Sequence, residues 1–173
     1  MPHEHTIVAY HGTTEKRANL ILADQHFINS CKDNEWLGTG VYFFPYQEHA
    51  SRWIQANRFK GQRTCILRAN LVYTKEQLLD LDDPAQLRHL NEVVEAAVQQ
   101  MNANGAPLSV DLSTCDIYQR YNFFCNLFKS LYPDIGIISY TFRRGGTGFS
   151  KYPENQRQIC VSCHSIIKDI RKI

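Results

Sequence analysis

Apolar and polar positions recur in blocks that assign most of the chain. Thr6 to His11 mixes β-branched and aromatic residues and runs into a Gly-Thr turn, which predicts a short strand. Thr13 or Thr14 then caps a helix over residues 15–23, with Glu15 in its first turn and Ala18, Ile21 and Leu22 as the inward stripe. Residues 28–40 are polar and glycine-containing and read as a loop. Val41 to Phe44 is a buried strand stopped by Pro45, and a helix over 46–58 puts Ala50, Trp53 and Ile54 on one face. Thr64 to Tyr73 is apolar on both faces, as a central strand is.

The clearest helix opens at Asp82-Asp83-Pro84, a capping residue followed by proline in the first turn. Leu87, Leu90, Val93, Val94, Ala97, Val98 and Met101 follow at spacings of three and four, and Asn104-Gly105 ends it. A further helix covers 117–131, with Tyr121, Phe124, Leu127, Phe128 and Leu131 inward. Ile135 to Phe142 returns to strand, Arg143 to Asn155 is a loop, and Gln156 to Ser162 is a last strand before a short tail. Strands near both ends and long helices between them predict an α+β domain in which distant strands meet across a cleft.

At 173 residues the chain fits one domain with a sizeable core. Its composition, 43% hydrophobic and 21% charged, excludes disorder, collagen and solenoids. A net charge of +2 is too small to argue for nucleic acid, so any basic footprint must be local. No run reaches the length of a membrane span, and the N-terminus has neither the basic start nor the apolar run of a cleaved signal. The expectation is a cytoplasmic protein without membrane contact, whose six cysteines are reduced and mostly buried.

Three segments carry chemistry: Tyr10-His11-Gly12-Thr13, then Trp36-Leu37-Gly38-Thr39-Gly40-Val41-Tyr42-Phe43-Phe44 with Trp53 beyond it, then Asn155-Gln156-Arg157-Gln158-Ile159-Cys160-Val161. Taken singly, each has an ordinary explanation. A histidine at a strand end serves as a structural hydrogen-bonder, and an aromatic run serves as core. The Gly-x-Gly precedes a strand, opposite to the dinucleotide-binding order of strand, glycines, helix.

Together and in this order they resemble the diphtheria-toxin-like and poly(ADP-ribose)-polymerase-like branch of the ADP-ribosyltransferases. That resemblance covers residues 8–13, 36–53 and 134–161; the rest matches in coarse architecture. It implies a single ADP-ribosyltransferase-like domain over 1–173, with a mixed, split β-sheet, a central NAD cleft and flanking helices. It also implies roles for particular residues. His11 would bond a ribose hydroxyl with help from Thr13, and the Gly12 backbone would hold the nicotinamide carboxamide. Gly38 and Gly40 would shape the turn that aims Tyr42, while Tyr42 and Trp53, eleven residues apart as in the family, would sandwich the nicotinamide ring.

The family's catalytic acid opens the last strand, where this chain has Glu154-Asn155-Gln156-Arg157-Gln158. Gln158 falls closest to that place, Gln156 shares its face, and Glu154 has the same parity behind Pro153. The alternatives are an acid-free transferase of single ADP-ribose units, a Glu154 that swings in, or an inactive chain; the first is favoured, and polymer formation is disfavoured throughout. Arg143, Arg144, Lys151 and Arg157, interleaved with Phe149 and Tyr152, suit a target-recognition loop for RNA or DNA, favoured over a protein acceptor. Cys160-Val-Ser-Cys163-His164 matches the haem-attachment spacing without the export it needs, and no metal is expected. The expectation is therefore an NAD-dependent mono-ADP-ribosyltransferase, as found in a toxin of a toxin–antitoxin or anti-phage system with an antitoxin partner. The competing readings are a catalytically silent NAD- or ADP-ribose-binding module and an RNA 2′-phosphotransferase-like enzyme.

Overall fold

The computed structural model describes residues 3–32, 35–56, 59–144 and 154–173. Its elements run β1 (Glu4–Thr14), α1 (Glu15–Asp24), β2 (Val41–Phe43), α2 (Gln47–Gln55), β3 (Thr64–Thr74), β4 (Leu78–Asp80), α3 (Pro84–Ala103), α4 (Ile117–Leu131), β5 (Ile137–Arg144), β6 (Glu154–Val161) and β7 (Ile167–Lys172). The result is an α+β arrangement with two sheets. One has the order β1-β3-β7 and is antiparallel; the other has the order β2-β6-β5-β4, with a parallel pair only at β4–β5.

Local chemistry sets the helix starts. The Thr14 hydroxyl accepts from Arg17 N at 3.3 Å, which identifies the cap of α1, and Gln25 closes that helix in the left-handed region at φ 48. Asp83 accepts from Ala85 N at 2.8 Å with Pro84 behind it, and Asp116 and Gln119 form a reciprocal box at the start of α4.

Burial divides into three groups. Ala9, Leu67, Ala69 and Leu71 of the first sheet pack on Ala18 and Ile21 of α1 and on Phe27, Val41, Phe43, Ile159 and Val161. The other face of the second sheet, through Leu79, Ile138 and Cys160, packs on Leu90 and Val94 of α3 and on Cys125 and Phe128 of α4. A small third group, Phe44, Ala50 and Ile66 with Tyr10, Trp53 and Ile54, seats α2 on the first sheet. β3 is the centre of its sheet, as expected, but only its Cys65, Leu67, Ala69 and Leu71 face lies in the main core, and Arg68 and Asn70 interrupt the other.

Three expectations change. The loop expected over 143–155 is shorter, because β5 reaches Arg144 and β6 begins at Glu154, which pair with each other. Backbone pairing continues past the apolar residues because a ladder needs no hydrophobic side chains where it leaves the core. β7, expected as irregular tail, is a strand. Its burial repeats every third residue because the ladder shifts between Arg68 and Asn70 and Asp169 turns left-handed at φ 53, so the alternation that marks a strand is lost. In α4 the buried residues are Phe123, Cys125 and Phe128, while Leu131, expected inward, is 46% exposed.

Candidate functional site

The two sheets touch where Tyr10 and Phe44 exchange both backbone hydrogen bonds, each 2.8 Å, in an isolated bridge. Antiparallel register would next pair Gly12 with Tyr42. Among the described residues that pair does not form. The Tyr42 carbonyl instead accepts from His11 Nδ1 at 2.8 Å. Peptide groups of like parity point the same way along a strand, so the Gly12 N–H and C=O face the gap as those of Tyr10 face Phe44. Gly12 is buried, and a buried peptide group without a partner costs about 1–3 kcal/mol. The gap therefore favours a ligand offering one donor and one acceptor.

His11 is held edge-on against Phe27 (5.1 Å between centroids) and Phe43 (5.8 Å). A carbonyl oxygen only accepts, so Nδ1 carries the proton, and a neutral ring keeps its lone pair on Nε2. Burial holds the His11 pKa below the usual histidine value, assisted by the charge of Arg17 and opposed by the bond to Tyr42. His11 is thus a neutral imidazole presenting an acceptor. Gly12 has no room for a side chain: a Cβ there would lie 2.6 Å from Ile54 Cγ2 and 2.9 Å from the Ala50 carbonyl. Thr13 is buried on the same strand.

Tyr42 is fixed at both ends. Its hydroxyl donates to Gly38 O at 2.7 Å and accepts from Leu37 N at 3.1 Å, and burial pushes its pKa far up, so it stays a phenol. Gly38 adopts φ 81, and a Cβ on Gly40 would meet Cys160 Sγ at 2.6 Å. Burial raises Cys125 to about 12 and Cys160 to about 11, which keeps both as thiols beneath this turn.

Trp53 packs with Phe44 at 6.0 Å between ring centroids, in the third packing group, whereas Tyr42 packs in the second. Packing along residues 41–44 alternates between groups, so Tyr42 and Phe44 share one face. The Tyr42 and Trp53 rings thus belong to different packing groups.

On β6, Tyr42 is opposite Cys160, and Gln158 and Gln156 continue that face toward Tyr140 and Phe142. Gln156 is 4% exposed, while Gln158 is more open. Glu154 lies at the start of β6 rather than in a loop. Arg157 is on the opposite face and is not a loop residue. Its guanidinium donates to Asp80 Oδ2 (3.0 Å), Asp82 Oδ2 (2.9 Å) and Ser139 Oγ (2.8 Å), which tie β6 to β4 and β5. Arg143 and Arg144 end β5, and Phe149, Lys151 and Tyr152 lie outside the described residues.

Several contributors were not foreseen. Asn122, Asn126 and Lys129, a single stripe of α4, clamp the turn before β2. Asn122 Nδ2 donates to the Lys32 and Glu35 carbonyls (3.0 and 2.7 Å), Asn126 Oδ1 accepts from Thr39 N (2.8 Å), and Lys129 Nζ donates to Thr39 O (2.6 Å). Glu35 accepts from the Ser30 hydroxyl through one carboxylate oxygen, while the other is buried without a partner among the described residues. The polar spacing of four and three on α4 was the available signal; nothing in the sequence located its partner turn.

No known protein family matches the chain, and no solved structure matches it. An uncharacterized protein of Methanocaldococcus jannaschii is 34% identical over 76 residues, which make up 42% of this chain and 36% of that protein. The chain thus spans about a third of the length of the relative it matches. Among the described residues no helix is long and apolar enough to cross a membrane, and no group of three or more His, Cys, Asp or Glu is placed to hold a metal.

Proposed function

We propose that the chain is an NAD-dependent mono-ADP-ribosyltransferase acting on a macromolecular acceptor, with nucleic acid favoured. The observation that carries this reading is the substitution of the His11 ring for the Gly12 amide at the Tyr42 carbonyl. It leaves a donor–acceptor pair suited to a carboxamide beside an imidazole lone pair suited to a ribose hydroxyl. NAD, when bound, supplies an ADP-ribosyl group whose bond to nicotinamide breaks as positive charge grows on the sugar. The Gly12 peptide would grip the leaving group. His11 Nε2 would fix the ribose, and Tyr42 and Trp53 would flank the ring and exclude water.

On this reading Gln158 or Gln156 takes the place that the resemblance gives to an acid, where it can accept and donate hydrogen bonds but supplies no charge. That favours transfer of a single unit over chain extension, and it is also what a silent NAD-binding module would have. The toxin context and an antitoxin partner belong to the same proposal. Incubation with labelled NAD and mixed RNA, DNA and protein tests it, with mass spectrometry of the labelled fraction. The expected result is label on nucleic acid with equimolar nicotinamide release, both lost in His11→Ala. NAD binding without release would favour the silent module.

A further inference from the structure

Four in-register residues form a row across both sheets. Phe44 bridges Tyr10, Tyr10 is opposite Arg68, and Arg68 is opposite Arg171. Directly opposed residues project to the same face. Two aromatics and two guanidiniums therefore succeed one another over about 14 Å, at about 4.8 Å per strand. The aromatic end packs with Trp53 and Ile54 of α2, so the row begins at the proposed NAD cleft. The adjacent row is Val8, Asn70 and Lys168, with Lys168 exposed. The other face of this sheet is core, through Ala9, Leu67, Ala69, Leu71, Ile167 and Ile170. α2 packs on the end of the open face, at Gly12 and Ile66.

Folding does not account for the paired arginines. Like charges directly opposed on neighbouring strands destabilise a sheet. Neither Arg68 nor Arg171 has an ion-pair partner among the described residues, in a chain with 17 acidic residues. Asp169, two positions from Arg171, accepts through Oδ2 from Asn70 Nδ2 at 2.7 Å. By contrast Lys172, which opposes Leu67 of the core face, is paired with Glu15 at 3.0 Å. Within this sheet, among the described residues, the cations without an ion pair, Arg68, Lys168 and Arg171, lie on the open face.

We propose that this face binds the phosphodiester backbone of a single-stranded polynucleotide, with Arg68, Arg171 and Lys168 on its phosphates, and leads the strand toward the cleft. Charge complementarity selects the partner: phosphates supply the counter-charge that the fold withholds, and an aromatic at the end of a cationic row is how single strands are held. The proposal rests on the nucleic-acid acceptor reading above but needs no catalysis, so the two fail separately.

The test is fluorescence anisotropy with labelled mixed-sequence single-stranded RNA and DNA oligonucleotides, without NAD, across a salt series. Wild type should bind at least one of them. Arg68→Gln/Arg171→Gln should weaken binding at least tenfold and reduce the salt slope by about 1.4, at about 0.7 per phosphate contact. Its melting temperature should be unchanged or higher, and Arg68→Lys/Arg171→Lys should recover most of the affinity. Lys172→Gln, which removes one charge from the other side, should have little effect. The proposal is overturned if wild type binds neither oligonucleotide, if the double variant keeps full affinity and slope, or if Lys172→Gln weakens binding as much.

Discussion

His11 Nδ1 stands 2.8 Å from the carbonyl oxygen of Tyr42, in place of the Gly12 amide that antiparallel register would put there. This one bond fixes the histidine tautomer and satisfies the Tyr42 carbonyl just beyond the Tyr10–Phe44 bridge.

Because His11 is held neutral, stability should depend on pH in a defined direction. Its folded pKa lies below the unfolded value of 6.5, as does that of His164, lowered by burial and by the charge of His26. The unfolded chain therefore binds protons first as pH falls, and stability is lost from about pH 6.5 downward. Urea midpoints at pH 7.5 and 5.5 should differ for wild type, and the difference should shrink in a His11→Asn, His164→Asn double variant. An equal pH dependence in both would show that other groups carry it.

Gly12→Ala should damage folding as well as binding. The added methyl would meet Ile54 Cγ2 at 2.6 Å and the Ala50 carbonyl at 2.9 Å, and overpacking of this kind costs about 1–3 kcal/mol. Trimming Ile54 to alanine removes the first clash and leaves the second, which is backbone. The double variant should accordingly remain less stable than Ile54→Ala alone by thermal denaturation. Equal melting temperatures would mean that α2 shifts freely.

Much of this was legible in the chain. The caps at Thr14 and Asp83 act locally, so they can be read from a few neighbouring letters. His11 and Tyr42 stood out through order and spacing, and the fold brings the His11 ring to the Tyr42 carbonyl. What escaped were features created by pairing between distant segments. β4 is three residues long, too short for any period, and the bulge opposite Arg68 and Asn70 erased the alternation of β7. Arg157 looked like a loop cation because its partners, Asp80 and Asp82, lie about 75 residues earlier. The parallel β4–β5 and antiparallel β5–β6 pairings together bring them beside it.

Arg157→Ala should therefore act on stability. Its side chain is about a third exposed, so the paired carboxylates contribute on the order of 1 kcal/mol after solvent screening. In a chain of this size that corresponds to a fall of about 2–4 °C in melting temperature. Acceptor labelling, measured below that temperature, should be unchanged. Lost labelling with an unaltered melting temperature would restore Arg157 to target recognition.

The two glutamines on the Tyr42 face should respond differently to a negative charge. Gln158→Glu places a carboxylate at the more open position and should raise nicotinamide release several-fold. Gln156→Glu buries one at a site that is 4% exposed, and should lower the melting temperature instead. Nicotinamide release that rises only in Gln156→Glu would move the acid position two residues along β6.

The most direct test is calorimetric titration of NAD into the wild-type protein, His11→Ala and Trp53→Ala. Saturable one-to-one binding by wild type, weakened at least tenfold in both variants while each melts cooperatively, is the expected result. Absence of wild-type binding, or equal affinity in all three, would contradict an NAD site at the parting of the two sheets.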